Sequence, residues 1–310
     1  MTEKQKVIIG TRSSELALWQ ANFIKQQIEN LFPETEVELK LVKTKGDIIL
    51  DKALDKIDGK GLFTKELENL LLDGTIDLAV HSLKDMQTEM PNGLLLAAVS
   101  KRHKVNDGLL ARRQGMTIED LPQNAIVATG STRRRAQLLN LRPDIKTLDL
   151  RGNVNTRIKK FLDSNWDAVI LACAGLERIN LQQHISSEID VNTMLPAVGQ
   201  GALGIQINQN NEQLIEICTK LNHQPTFLET SAERAFLTAL GGGCKTPIAA
   251  YATTKDSILH ISGLVSSGDG RKQVKIDAKG NPEDAVKIGK KLASDLLTAG
   301  ADEIIKNDFN

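Results

Sequence analysis

The stretch Ile76-Asp-Leu-Ala-Val-His-Ser-Leu-Lys-Asp85 decides how this chain of 310 residues is read. Its apolar run, Leu78-Ala79-Val80, reads as a short buried strand that ends abruptly in His81, Ser82, Lys84 and Asp85. In open α/β sheets, ligands collect beyond the carboxyl ends of strands, where the connecting loops converge. A hydroxyl, an ammonium and a carboxylate delivered together at that edge can bind an anion and move a proton. The same residues are also what caps a helix after a strand, and this stretch alone does not separate the two readings.

Working outward toward the N-terminus, residues 6–10 read as a first strand. Leu16, Trp19, Phe23, Ile24, Ile28 and Leu31 then recur at helical spacing until Pro33. Val37, Leu39 and Leu41 alternate with Glu38 and Lys40 as in a strand, and residues 63–72 form a second helix closed by Asp73-Gly74. The order β-α-β-α-β predicts a largely parallel sheet. It repeats downstream, with strands at 125–129, 147–150 and 168–174 and helices at 133–141 and 154–162. The polar run 100–107 reads as a crossover or hinge between two α/β domains, and the Gly-rich run 195–204 as the return. From about residue 222 the pattern changes to a helix at 229–240, three glycines, three strand-like runs (248–253, 257–265, 272–278) and a helix capped by Asn281-Pro-Glu-Asp284. This predicts a small α+β domain. The expected division is 1–101 with 200–219, then 106–195, then 222–310.

Bulk properties exclude several classes. Lys plus Arg and Asp plus Glu both number 39, so net charge points to neither nucleic acid nor an anionic membrane. The longest apolar run is the seven residues 168–174, against the ~20 a membrane helix needs. The N-terminus has no secretory apolar segment. Cys173, Cys218 and Cys244 are odd in number and lack a CxxC pair, which fits a reducing cytoplasm and argues against a disulfide framework or a zinc site.

Arginine is placed with a pattern. Arg12, Arg133, Arg134, Arg151 and Arg178 each follow the end of an expected strand, and Arg157 lies within the next helix, at 154–162. Ser13, Ser14, Gly130, Ser131 and Gly152 accompany them, with hydroxyls and backbone N–H groups near helix starts. Guanidinium grips carboxylates through two parallel hydrogen bonds, so the pattern predicts a ligand with several carboxylates or phosphates. Gly59-Lys60-Gly61 and Gly243-Cys-Lys-Thr246 both miss the phosphate-loop spacing, which makes a nucleotide the weaker reading. Cys244 follows three glycines in a segment able to present a thiol; a buried inert cysteine is an equal reading from the residues alone. Cys173 and Cys218 read as inert core residues.

Taken together, six segments resemble the motifs of the porphobilinogen deaminase family, in the right order along nearly the whole chain. They are Arg12-Ser-Ser-Glu-Leu-Ala-Leu18, Gly59-Lys-Gly-Leu-Phe-Thr-Lys-Glu-Leu-Glu68, Ala79-Val-His-Ser-Leu-Lys-Asp85, Leu150-Arg-Gly-Asn-Val-Asn-Thr-Arg157, Leu195-Pro-Ala-Val-Gly-Gln-Gly-Ala202 and Gly242-Gly-Cys-Lys-Thr-Pro-Ile248. The resemblance implies two periplasmic-binding-protein-like domains with a mostly parallel core sheet each, the active site between them, and a small α+β C-terminal domain. It implies a dipyrromethane cofactor held by a thioether to Cys244. Four porphobilinogen molecules, each carrying an acetate and a propionate, would be joined with loss of ammonia and released as a linear tetrapyrrole.

By the same resemblance Asp85 is the catalytic carboxylate. Lys84, Ser82, Thr129, Ser131, Arg133, Arg134, Arg151 and Arg157 correspond to cofactor-binding positions. Arg12, Ser14, Gln20, Arg178, Gln200, Phe63 and Lys60 correspond to substrate-binding positions. Four departures stand out: Ala128-Thr-Gly-Ser131 for the family's Gly-Thr-Ser-Ser, Cys244-Lys-Thr-Pro247 for Cys-Gln-Val-Pro, Lys104-Val-Asn-Asp-Gly108 at the crossover, and Gln87 in place of a proline. The expectation is a monomeric cytoplasmic transferase with no metal, nucleic-acid or membrane partner. Two alternatives carry less. A solute-binding module for a polycarboxylate would bear a signal segment and has no use for a thiol-presenting domain. A cofactor-less paralogue sits poorly with both Asp85 and Cys244 being present.

Overall fold

The computed structural model describes residues 5–48, 61–241 and 246–309; Lys60 and Cys244 lie outside the described residues. The chain runs β1 (Gln5–Thr11), α1 (Glu15–Leu31), β2 (Thr35–Leu41), α2 (Lys45–Ile48), α3 (Lys65–Leu72), β3 (Leu78–Ser82) and β4 (Leu94–Val99). It continues with β5 (Asp107–Ala111), β6 (Ile126–Ala128), α4 (Thr132–Leu141), β7 (Lys146–Leu148), α5 (Val154–Leu162), β8 (Ala168–Ala172), α6 (Cys173–Arg178) and β9 (Ser187–Ile189). Then come β10 (Leu203–Asn208), α7 (Glu212–Leu221), α8 (Gln224–Ala239), β11 (Ile248–Lys255), β12 (Ile258–Ser266), β13 (Gln273–Gly280), α9 (Ala285–Leu296) and α10 (Asp302–Phe309).

The described residues divide into two compact units. One is built from residues up to His103 together with Gly201–Phe227, the other from Lys104–Gln200 and Leu228 onward. The first unit carries a sheet of order β2-β1-β3-β10-β4, and the second a sheet of order β7-β6-β8-β5-β9. In both, the first three strands pair in parallel, and one strand, β10 or β5, runs against the other four. Each reversed strand is reached along the chain from outside its sheet's own βα run. The two sheets thus share one strand order, and each is mostly parallel in strand direction.

The apolar spacing of α1 explains its seat. Ala21, Ile24 and Ile28 are buried on Val7, Ile9, Val37 and Leu78, and Ser14 caps the helix by accepting from the Ala17 N–H. In the second unit, Leu109, Val127, Leu138 and Ile170 fill one side of the sheet, and Leu150, Ile158, Phe161 and Leu176 the other. The same unit contains a three-stranded antiparallel sheet, β11-β12-β13, whose core is Phe236, Ile261, Leu292 and Leu296. There α9 approaches α8 so closely that a Cβ on Gly289 would lie 2.1 Å from the Ala232 carbonyl oxygen. The β12–β13 turn docks on α4, where Asn140 Nδ2 donates to the Gly270 carbonyl at 2.8 Å. Gly270 is left-handed (φ +74°), and its Cα faces the Ala136 carbonyl too closely for any side chain.

Several boundaries differ from the sequence reading for physical reasons. β3 continues through His81 and Ser82, because both pair with β10 (Gly204 and Leu203). Cys173 and Ala174 are not strand residues. The apolar run stays buried while the backbone turns into α6, with the Cys173 N–H bonded to the Asn106 carbonyl. Asp107 opens β5 instead of closing a hinge, and the helix expected from Glu229 begins at Gln224. Burial pushes the Cys173 and Cys218 thiols up to about 12, in keeping with inert core residues.

Candidate functional site

In the first unit the chemistry gathers where β1 and β3 end. Arg12, Ser14, Gln20, Phe63, Ser82 and Asp85 line one open recess. Gln20 is buried on α1 and its Nε2 donates to Ser82 Oγ at 2.7 Å, which fixes the hydroxyl at the strand end. Leu83–Asp85 form a single 3-10 turn, with Leu83 pinned in the core and Asp85 exposed. Lys84 sits half-buried on the same turn. His81 lines the same recess, as a neutral group. It is buried against Gln206 (3.1 Å), and burial lowers it to about 4, so it is neutral at pH 7.

Arg12 already has a carboxylate. Its Nε lies 3.1 Å from both Asp47 oxygens, its Nη2 also bonds Asp47, and its Cζ stands 4.3 Å above the Phe63 ring. Gly61, left-handed at φ +78°, begins the turn that carries Phe63. A Cβ there would meet the Gln87 amide nitrogen, so the Gln87 departure abuts this turn.

In the second unit, α4 begins at Ser131, whose Oγ accepts from the Arg134 N–H. Thr129 is buried, and its Oγ1 accepts from the Ser131 N–H. Gly130 is a steric necessity: a Cβ there would lie 2.4 Å from the Leu150 carbonyl oxygen. Arg133 and Arg134 point inward, each 5% exposed, and meet on one carboxylate. Arg133 Nη2 donates to Asp107 Oδ2 at 2.8 Å and Arg134 Nη2 to Oδ1 at 2.6 Å. Gln200 Nε2 adds a third donor to Oδ1 at 2.9 Å and also bonds the Val105 carbonyl. Arg133 Nη1 and Arg134 Nη1 reach the Leu195 and Ile170 carbonyls.

Asp107 is completely buried. Burial alone would raise its carboxyl, but Arg133, Arg134 and Gln200 outweigh that and hold it well below the usual carboxylate range. Burial lowers the Arg133 guanidinium while Asp107 pulls it back, and it remains charged at neutral pH. Two buried guanidiniums thus face one carboxylate, and the Nε of each lacks a partner among the described residues. That surplus positive charge suits a ligand bringing carboxylates of its own.

Arg151 and Arg157 are half-buried around the turn into α5, where Asn153 caps the helix and Arg157 Nε donates to the Gly152 carbonyl at 2.8 Å. Gly152 adopts φ +114°, which L side chains rarely take. Arg178 ends α6, and burial pushes it down to about 10. Sequence reasoning missed Asp47 and Asp107. The signal for Asp107 was a lone acid opening the apolar run Gly108–Ala111; Asp47 gave no local signal. Among the described residues, no group of three or more His, Cys, Asp or Glu could hold a metal, and no helix is long and apolar enough to cross a membrane.

Comparison with known proteins covers nearly the whole chain. Residues 7–216 match the family model "Porphobilinogen deaminase, dipyromethane cofactor binding domain", and residues 227–298 match "Porphobilinogen deaminase, C-terminal domain". The porphobilinogen deaminase of Chlorobium phaeobacteroides strain BS1 is 48% identical over 306 residues, 97% of each chain. That of Syntrophomonas wolfei is 45% identical over 297 residues, covering 96% of this chain and 97% of its own. The Lawsonia intracellularis protein is 45% identical over 302 residues, 97% of each chain.

Proposed function

The chain belongs to the porphobilinogen deaminase family, and on that premise we propose that it condenses four porphobilinogen molecules head to tail and releases hydroxymethylbilane by hydrolysis. In class it is a transferase, one that expels ammonia at each addition. The observation that carries this reading is the exposed Asp85 carboxylate, set at a strand end in one recess with Arg12, Ser14, Gln20 and Ser82.

Bound dipyrromethane supplies the pyrrole carbon on which the product is built. The groups suited to hold it are Arg133 and Arg134, whose charge exceeds that of Asp107, with Lys84, Ser82, Thr129, Ser131, Arg151 and Arg157; Cys244 is the proposed thioether position. Arg12, Ser14, Gln20, Arg178, Gln200, Phe63 and Lys60 are assigned to substrate. Each has a physical task. Guanidiniums neutralise the acetate and propionate of porphobilinogen. Asp85 gives a proton to the departing amine as the carbon–nitrogen bond breaks, and ammonia leaves. Its carboxylate then faces the cationic azafulvene derived from that porphobilinogen and later removes the proton from the ring carbon of the new bond. The Gln20–Ser82 hydrogen bond keeps a hydroxyl dipole fixed beside this carboxylate.

The same reading divides the chain into domains at 1–101 with 200–219, at 106–195 and at 222–310, and makes it a cytoplasmic monomer. Cys244→Ser tests the attachment. The purified parent should outweigh its chain by two linked pyrrole units that survive denaturation, and the variant should show bare chain mass and no condensation. A variant that keeps the added mass would overturn the assignment to Cys244.

A further inference from the structure

Arg12 is held from two directions by groups of its own unit. The side edge of its guanidinium, Nε and Nη2, is occupied by Asp47, and its face lies on Phe63. A guanidinium has two edges that can take a carboxylate in parallel. With the side edge filled, the terminal edge remains, and its Nη1 has no hydrogen-bond partner among the described residues. Arg12 lines the recess that contains Ser82 and Asp85.

The group that holds Arg12 is itself fixed. Asp47 Oδ2 accepts from Thr44 Oγ1 at 2.7 Å and from the Thr44 N–H at 3.3 Å. Burial would raise this carboxyl, but the hydrogen bonds from Arg12 and Thr44 keep it ionised and below its ordinary value. The α2 turn is tied down where Gly46 N–H donates to the Leu62 carbonyl at 2.8 Å. Gly46 lies flat on Phe63, since a Cβ would come within 2.2 Å of that ring. Asp47 and Phe63 are therefore fixed to each other through Gly46, and a pair fixed in this way sets the guanidinium plane before any ligand arrives.

We propose that Asp47 is a positioning residue for substrate binding: it holds the side edge of Arg12 so that the terminal edge meets a carboxylate of the incoming pyrrole. The proposal rests on the assignment of Arg12 to substrate made above. A bare structural pair predicts only a loss of folding stability. A positioning role predicts a change in KM that depends on Arg12 being present.

The test is a double-mutant cycle on cofactor-loaded protein, with loading checked by intact mass. Asp47→Ala should raise KM for porphobilinogen roughly tenfold and change kcat by less than about twofold, with Asp47→Asn in between. In an Arg12→Ala background, where KM is already raised, Asp47→Ala should add nothing further. An unchanged KM in Asp47→Ala beside a raised KM in Arg12→Ala overturns the positioning role alone, as does an equal effect of Asp47→Ala in both backgrounds. An unchanged KM in Arg12→Ala overturns the assignment of Arg12, and the inference falls with it.

Discussion

Asp85→Asn should slow single-turnover addition of porphobilinogen by at least ~10²–10⁴, the range expected for losing one positioned acid–base group. Loss of the carboxylate charge facing a cationic fragment should add to that. Asn keeps the size of the side chain but can neither hold the charge nor pass the proton. Asp85 is exposed at the end of a turn whose first residue, Leu83, is locked in the core, so the substitution should leave folding unchanged. Asp85→Glu displaces the carboxylate by one methylene and should keep measurable activity, with partly extended chains accumulating. Rates from rapid-quench mass spectrometry decide the matter. If Asn equals Glu, or approaches the parent, Asp85 does not serve as the acid and base.

The second large effect lies in the core of the other unit. Asp107→Asn removes the carboxylate that faces Arg133 and Arg134 and leaves two buried guanidiniums without a counter-charge among the described residues. Breaking a buried pair in this way costs about 3–5 kcal/mol. Arg133→Leu should be milder for stability, because Asp107 keeps Arg134 and Gln200. It should instead impair cofactor assembly. The pH dependence has a definite sign. Asp107 titrates below its unfolded value of about 3.9, so its contribution is complete above that pH and is lost as pH falls through the folded value. In urea unfolding followed by tryptophan fluorescence, the gap between parent and Asp107→Asn should be constant from about pH 8 to 5 and close below about pH 4. A variant as stable as the parent at pH 7 would show that the cluster carries no net stabilisation.

Local signals and non-local pairing explain what could be read from the sequence. α1 was legible because the apolar spacing that seats it lies within the segment itself. β5 and β10 were not. Each is a short run whose strand character comes from partners far along the chain, as when Leu203–Ile207 pairs with Leu78–Ser82. The same contrast holds for the candidate site. Ser82 and Asp85 could be placed because a strand ends beside them, and the arginines because they follow strands. Their partners could not be placed. Asp107 meets Arg133 and Arg134 only because β5 enters the sheet against β8, and Asp47 reaches Arg12 across 35 positions of sequence. The Gly130 departure became intelligible only once the Leu150 carbonyl was seen to occupy the space a side chain would need.

Intact-protein mass spectrometry during turnover tests the central claim most directly. Purified protein should carry two linked pyrrole units at rest. With limiting porphobilinogen it should show a ladder of species, each heavier by one porphobilinogen less ammonia, that collapses to the resting mass as tetrapyrrole is released. A protein that stays at one mass while it consumes porphobilinogen, or that never gains mass from it, would contradict the account.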